Sequence, residues 1–94
     1  MRNNEEHARY SVYLRTFCAL KKNGNRAISL SAIEEWYPRR ADRILSYMQE
    51  AMCGRGAIFH GTATADGVGW YLRPEIYAMS SAEFIENYKS THSK

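Results

Sequence analysis

The sequence predicts one α+β domain with a helical first half, a two-stranded β-hairpin and a short C-terminal helix. Ninety-four residues can enclose one hydrophobic core, and a content of 45% hydrophobic and 13% aromatic residues supplies apolar surface for it. Apolar side chains recur at helical spacing as far as Cys53, whereas Asp66-Gly67 separates two segments typical of β-strands. We therefore expect a single domain over residues 1–94, with its core at about 5–79 and its last helix at about 81–89.

The first helix is predicted from about Glu5 to Lys22. Acidic residues in its first turn and basic residues in its last turn both suit the helix dipole. The Asn23-Gly24 pair that follows is typical of a helix end. One face carries apolar residues at i, i+3, i+4, i+7 and i+10, namely Tyr10, Tyr13, Leu14, Phe17 and Leu20.

Two further helices are predicted on either side of a tight turn. A short extended connector, Arg26–Ser29, leads to Ser31-Ala32-Ile33-Glu34, which has the spacing of a capping box and predicts a helix start. Pro38 lacks a backbone N–H and restrains the residue before it, so this second helix should end near Trp36. A third helix is then expected at about Pro38–Cys53.

The third helix is predicted to carry an apolar and a polar face. The polar face combines three arginines near the helix start with a tyrosine one turn later, and this pattern is typical of a helix whose first turns enter the major groove. Its residues are Arg39, Arg40, Arg43 and Tyr47, and the apolar face comprises Ala41, Ile44, Leu45, Met48, Ala51 and Met52.

The hairpin is predicted to turn at Asp66-Gly67, a dipeptide that favours a two-residue type I′ loop. Ala65 would then pair with Val68, and Ala63 with Trp70. This register puts Phe59, Ala63, Val68, Trp70 and Leu72 on one face and Ile58, His60, Thr62, Thr64, Tyr71 and Arg73 on the other. After the hairpin, Ser80-Ser81-Ala82-Glu83 predicts a second capping box.

We expect the chain to lie in the cytoplasm. No apolar segment is long enough to span a membrane, and the first residues lack the apolar centre of a secretory signal. Cys18 and Cys53 are too few for a disulfide framework, so we interpret them as small buried apolar residues in a reducing compartment. The formal charge of +3 permits a polyanionic partner without requiring one.

The order of predicted elements resembles the winged helix-turn-helix superfamily, over Tyr10 to about Arg73. This resemblance implies a small regulator of transcription, of prokaryotic or phage type, that binds double-stranded DNA in the major groove, often as a dimer. It implies helix contacts from Arg39, Arg40, Arg43 and Tyr47 and wing contacts within Thr62–Gly67, for which we take Thr62 and Thr64. The wing departs from the family pattern, since Asp66 stands at its tip and Gly56–Leu72 contains no Lys or Arg.

Two alternatives remain open at this point. The arginines could form a solvated helix face paired with nearby carboxylates such as Asp42, Glu34 or Glu35. Alternatively, the same face could bind an acidic protein partner, as in a winged-helix adaptor or a small phage-type inhibitor of a nucleic-acid machine.

The sequence offers little for catalysis. The three histidines, His7, His60 and His92, are scattered without the spacing or the carboxylate partner that metal binding or general-base chemistry needs. Gly54-Arg55-Gly56 follows a helix rather than a strand, which is the wrong place for a phosphate-binding loop. We therefore expect no enzyme activity, metal or cofactor.

Overall fold

A computed structural model describes residues 4–92 and confirms an α+β fold. Three strands form an antiparallel sheet in which the last strand along the chain lies at the centre. The sequence predicted neither the pairing of the first strand nor the single helical turn that follows the hairpin. The helices are α1 (Asn4–Lys22), α2 (Leu30–Trp36), α3 (Ala41–Glu50), α4 (Pro74–Tyr77) and α5 (Ser81–His92), with a 3₁₀ turn at Pro38–Arg40; the strands are β1 (Ile28–Ser29), β2 (Phe59–Thr64) and β3 (Gly67–Leu72).

Helix α1 packs its predicted apolar face against α5. The rings of Phe17 and Phe84 stack with centroids 4.3 Å apart and planes 8° from parallel. Tyr88 on α5 lies over Tyr10 at 5.1 Å. The second capping box is confirmed, since the Ser80 N–H donates to the Glu83 carboxylate at 2.9 Å and the Glu83 N–H donates to Ser80 Oγ at 3.1 Å. The aromatic contacts dock α5 on α1, and the capping box stabilises the first turn of α5.

The cap of α2 differs from the prediction. Ser29, not Ser31, is the N-cap residue, because its backbone is extended and its Oγ accepts a hydrogen bond from the Ala32 N–H at 3.2 Å. The extended connector ends in strand β1, where Ile28 pairs with Trp70 and Ser29 with Gly69. Strand pairing therefore holds Ser29 in the conformation that a cap requires, and the helix begins earlier than its sequence motif indicates.

We expect Ser29→Ala to lower the free energy of unfolding by about 1 kcal/mol, the usual cost of losing a serine cap. Ser31→Ala should cost only a few tenths, because Ser31 lies exposed and supports the cap only through the 3.1 Å contact between the two hydroxyl oxygens. Urea denaturation followed by circular dichroism measures both. A larger loss in Ser31→Ala than in Ser29→Ala would contradict this assignment.

The third helix is shorter than predicted and its faces are rotated. It begins with the 3₁₀ turn Pro38–Arg40 and ends at Glu50 instead of Cys53. Tyr47, predicted on the polar face, is 1% exposed, and Leu45, predicted on the apolar face, is 39% exposed. The buried positions instead follow i, i+3, i+4 and i+7 spacing, and they are Ile44, Tyr47, Met48 and Ala51.

The hairpin turns one residue earlier than predicted. Ala65 and Asp66 form its loop, Ala63 pairs with Val68, and Gly61 pairs with Trp70. A type I′ turn requires a positive φ at both loop residues, and among the described residues other than glycine only Asn25 has one. The predicted turn and register are therefore wrong.

The predicted faces of the hairpin survive this change, because the pairing moves by two residues and side chains alternate with a period of two. Phe59, Trp70 and Leu72 are fully buried on the core face. Gly61 lacks a side chain opposite Trp70, and Met52 occupies that space, with its sulfur accepting the indole N–H at 3.1 Å. Ile58 is an exception: predicted on the polar face, it is 3% exposed, because it precedes the strand and packs into the core.

The prediction that both cysteines are buried is also wrong. Cys18 and Cys53 are free thiols and both are exposed. Cys18 lies on the outward side of α1, and Cys53 follows the end of α3, where its thiol lies 3.6 Å from the Gln49 carbonyl oxygen. Neither contributes to the core.

Candidate nucleic-acid interface

The predicted arginines lie at the start of the third helix, where the tight turn after α2 leaves them at the surface. The Tyr37 N–H donates to the Glu34 carbonyl at 3.1 Å, and the Arg40 N–H donates to the Tyr37 carbonyl at 2.9 Å, so the chain turns within a few residues. Pro38 sets the first position of the 3₁₀ turn. Arg39 is exposed and, together with Trp36, lines a concavity of about 370 Å³.

The other two arginines converge on a carboxylate that sequence reasoning did not find. Arg43 Nη1 donates to Glu5 Oε1 at 2.7 Å, and Arg40 Nη1 lies 3.9 Å from the same oxygen. Glu5 belongs to the first turn of α1. Half of the Arg43 side chain remains exposed, and exposed ion pairs of this kind contribute only about 0–1 kcal/mol. A stronger anion could therefore displace Glu5.

Tyr47 does not belong to this exposed face. Its ring is buried in the core and the Arg9 guanidinium lies 5.3 Å from the ring centroid. Burial raises the pKa of Tyr47, and the nearby Glu5 carboxylate raises it further, while Arg40 opposes the rise. Its backbone carbonyl accepts the Tyr13 hydroxyl at 2.5 Å. The structure thus assigns Tyr47 a packing role and contradicts the predicted surface position.

Polar residues that sequence reasoning missed occupy the exposed side of α3. Ser46 and Gln49 are both exposed and follow Asp42 at helical spacing. Their hydroxyl and amide groups can donate or accept hydrogen bonds at base edges or phosphates. Helical spacing could have indicated them, because a buried Tyr47 places Ser46 and Gln49 on the exposed side of the helix.

The two wing threonines differ in their availability. Thr62 is exposed on the outer face of β2. Thr64 Oγ1 accepts the Asp66 N–H at 3.1 Å and donates to the Gly67 carbonyl at 2.7 Å, so its hydroxyl stabilises the turn. Neither belongs to the arginine cluster, and the exposed Asp66 carboxylate at the tip disfavours contact with phosphate.

Arg15 on α1 is a further candidate, and no sequence pattern pointed to it. Its guanidinium carbon lies 4.9 Å from the ring centroid of Trp36 and 5.6 Å from that of Tyr37. The Tyr37 hydroxyl in turn donates to the Ser11 carbonyl at 3.1 Å. These contacts join the outer side of α1 to the turn that carries Arg39.

No protein-family model, curated protein or solved structure matches this chain. Any assignment of function therefore rests on the geometry of the described residues. The most informative feature for function is the group of exposed cationic side chains around the tight turn, which comprises Arg15, Arg39 and Arg43.

Other kinds of site find little support in the described residues. Within residues 4–91, no group of three or more His, Cys, Asp or Glu side chains is placed to hold a metal ion. His60 lies against Tyr71, with ring centroids 5.4 Å apart, and His7 lies at the surface of α1. None of the described helices has the length and apolar character that crossing a bilayer requires.

Proposed function

We propose that this chain is a winged helix-turn-helix protein that binds double-stranded DNA as a regulator of transcription. The order of elements supports this proposal: α1, β1, α2 and α3 precede the hairpin β2–β3, and the three strands form one antiparallel sheet. In such an arrangement α3 enters the major groove and the hairpin serves as the wing. The proposal places the chain in the cytoplasm.

One observation carries the proposal: the start of the third helix presents arginines at the surface directly after a tight turn. Arg39 is exposed without a carboxylate within ion-pair distance among the described residues, and Arg43 has only the surface pair with Glu5. A guanidinium can bind phosphate or the O6/N7 edge of guanine through two hydrogen bonds. Ser46 and Gln49 extend this surface along α3.

We expect the wing to contribute less to DNA binding than it does in a typical member of the superfamily. The Thr62 hydroxyl can hydrogen-bond to the DNA backbone, but the hairpin has no Lys or Arg. One helix of this length covers only a few base pairs, so we infer that two copies bind two half-sites. The apolar edge of α5 is already packed on α1, and therefore a dimer would use another surface.

A salt titration tests the proposal. Fluorescence anisotropy with random duplex DNA, at about 50–200 mM salt, should give a linear plot of log K against log salt with a slope near −0.9 per phosphate neutralised. The double variant Arg39→Ala, Arg43→Ala should bind more weakly, with a slope shallower by about 1.8, because two phosphate-binding charges are lost.

The matched control is the double variant Arg55→Ala, Lys89→Ala. It removes the same charge from two exposed positions outside α3 and should keep the wild-type slope. If wild type and the Arg39/Arg43 double variant bind duplex equally weakly at about 50 mM salt, the DNA-binding proposal is wrong.

A second candidate function is binding to an acidic protein. The exposed apolar side chains favour it, since Leu45 on α3 is 39% exposed and Val68 on the wing is 42% exposed. Arginine is enriched at protein interfaces, and a partner that binds beside α3 does not require Lys or Arg in the wing. Absence of DNA binding by the wild-type chain would favour this candidate over the first.

A further inference from the structure

Three concavities on one side of the molecule share Tyr37. One lies between α1 and the 3₁₀ turn, one lies over the turn itself, and one of about 560 Å³ follows the outer side of α1. Among the described residues that line them there is no Asp or Glu, whereas Arg15, Arg39 and Arg40 all take part. This side of the molecule therefore offers a continuous surface suited to an anionic partner.

Arg15 is held in place on this surface without being neutralised. The rings of Trp36 and Tyr37 both lie within cation–π distance of its guanidinium, at 4.9 and 5.6 Å. Tyr37 is itself fixed, because its hydroxyl lies within hydrogen-bonding distance of both Oγ and the carbonyl oxygen of Ser11. A guanidinium oriented by aromatic faces keeps its N–H donors free for an anion.

Four of the eight described arginines, Arg15, Arg26, Arg39 and Arg55, have no ion pair with a described carboxylate, and among these four only Arg15 has a cation–π contact. Among the described residues, ion pairs occupy Arg9, Arg40, Arg43 and Arg73. Arg15 is exposed and has no carboxylate within ion-pair distance in this part of the chain. The aromatic pair thus holds a positive charge that no described side chain compensates.

We propose that Arg15 binds a phosphate of the DNA backbone next to the groove that α3 enters. This inference rests on the proposed function and names a second contact for it. Arg15 contacts the rings of Trp36 and Tyr37, and Arg39 lines the concavity over the turn together with the same two residues. Both guanidiniums therefore lie beside the Trp36–Tyr37 pair, where one DNA strand can pass them. A phosphate contact fixes the position of the duplex but carries no sequence information.

The test compares Arg15→Gln with wild type in the same salt titration. We expect a slope shallower by about 0.9 and a loss of affinity that is equal for every duplex sequence. Arg15→Lys keeps the charge and should restore the slope. The matched control is Arg55→Gln, because Arg55 is exposed and lines a concavity on the opposite side of α1 with Glu6 and Arg9.

The outcomes separate this inference from the proposed function. If wild type binds DNA and Arg15→Gln keeps its slope, the inference is wrong and the proposed function stands. If Arg55→Gln makes the slope as shallow as Arg15→Gln does, net charge accounts for the effect and the inference is again wrong. If wild type binds no duplex, both fail together. Thermal unfolding of each variant shows whether a loss of binding reflects a loss of folding.

Discussion

Replacing Phe84 with alanine is expected to lower the free energy of unfolding by about 3–5 kcal/mol, the usual cost of removing a buried aromatic side chain. Phe84 is fully buried, and its ring stacks on Phe17 with centroids 4.3 Å apart. The loss combines the transfer of apolar area to water with the cavity left between α1 and α5. Guanidinium denaturation followed by tryptophan fluorescence measures it.

Glu86→Ala on the same helix is the control. Glu86 is exposed, so the substitution should change the free energy of unfolding by less than about 0.5 kcal/mol. A small effect of Phe84→Ala, similar to that of Glu86→Ala, would mean that α5 is not docked on α1 in solution. The expected large effect would make α5 part of the core.

Gly69→Ala is expected to destabilise the sheet by about 3 kcal/mol, at the upper end of the range for overpacking. A Cβ at this position would lie 2.7 Å from the Ile28 carbonyl oxygen and 2.6 Å from the Thr64 methyl carbon. The carbonyl belongs to the backbone of β1 and cannot move without disturbing the pairing of β1 with β3. The central strand therefore requires glycine for close approach.

Gly61→Ala offers a matched control in the neighbouring strand. Its Cβ would also meet a close atom, Met52 Cε at 2.9 Å, but this atom is the end of a flexible side chain that can change rotamer. We expect a change of less than about 0.5 kcal/mol. Thermal unfolding of the two variants under the same conditions compares them, and equal melting temperatures would contradict the argument.

Local signals predicted some parts of the fold correctly and others wrongly, the hairpin turn and the N-cap of α2 among the latter. The bounds of α1, the end of α2 at Trp36, the capping box of α5 and the two faces of the hairpin strands follow from short-range spacing. The pairing of Ile28 with Trp70 does not, because it joins segments far apart in the chain. That pairing also places the cap of α2 at Ser29, which no local motif indicates.

The sequence likewise predicted part of the candidate site and not the rest. Exposure of Arg39 and Arg43 follows from helical spacing and agrees with the structure. Tyr47 and Leu45 both flank the helix face formed by Ile44, Met48 and Ala51, and spacing alone does not show that the tyrosine rather than the leucine is buried. The Glu5 partner and the cation–π contacts of Arg15 depend on how α1 lies against the turn, which the sequence alone does not specify.

The central position of β3 has a consequence for folding during synthesis. β3 lies between β1 and β2, and α5 covers α1, so both ends of the chain are needed to complete the core. On a ribosome the apolar faces of α1, α2 and α3 emerge before these partners exist, and chains in that state are prone to aggregation. We infer that the helical half acquires its stable packing only after β3 and α5 have been made.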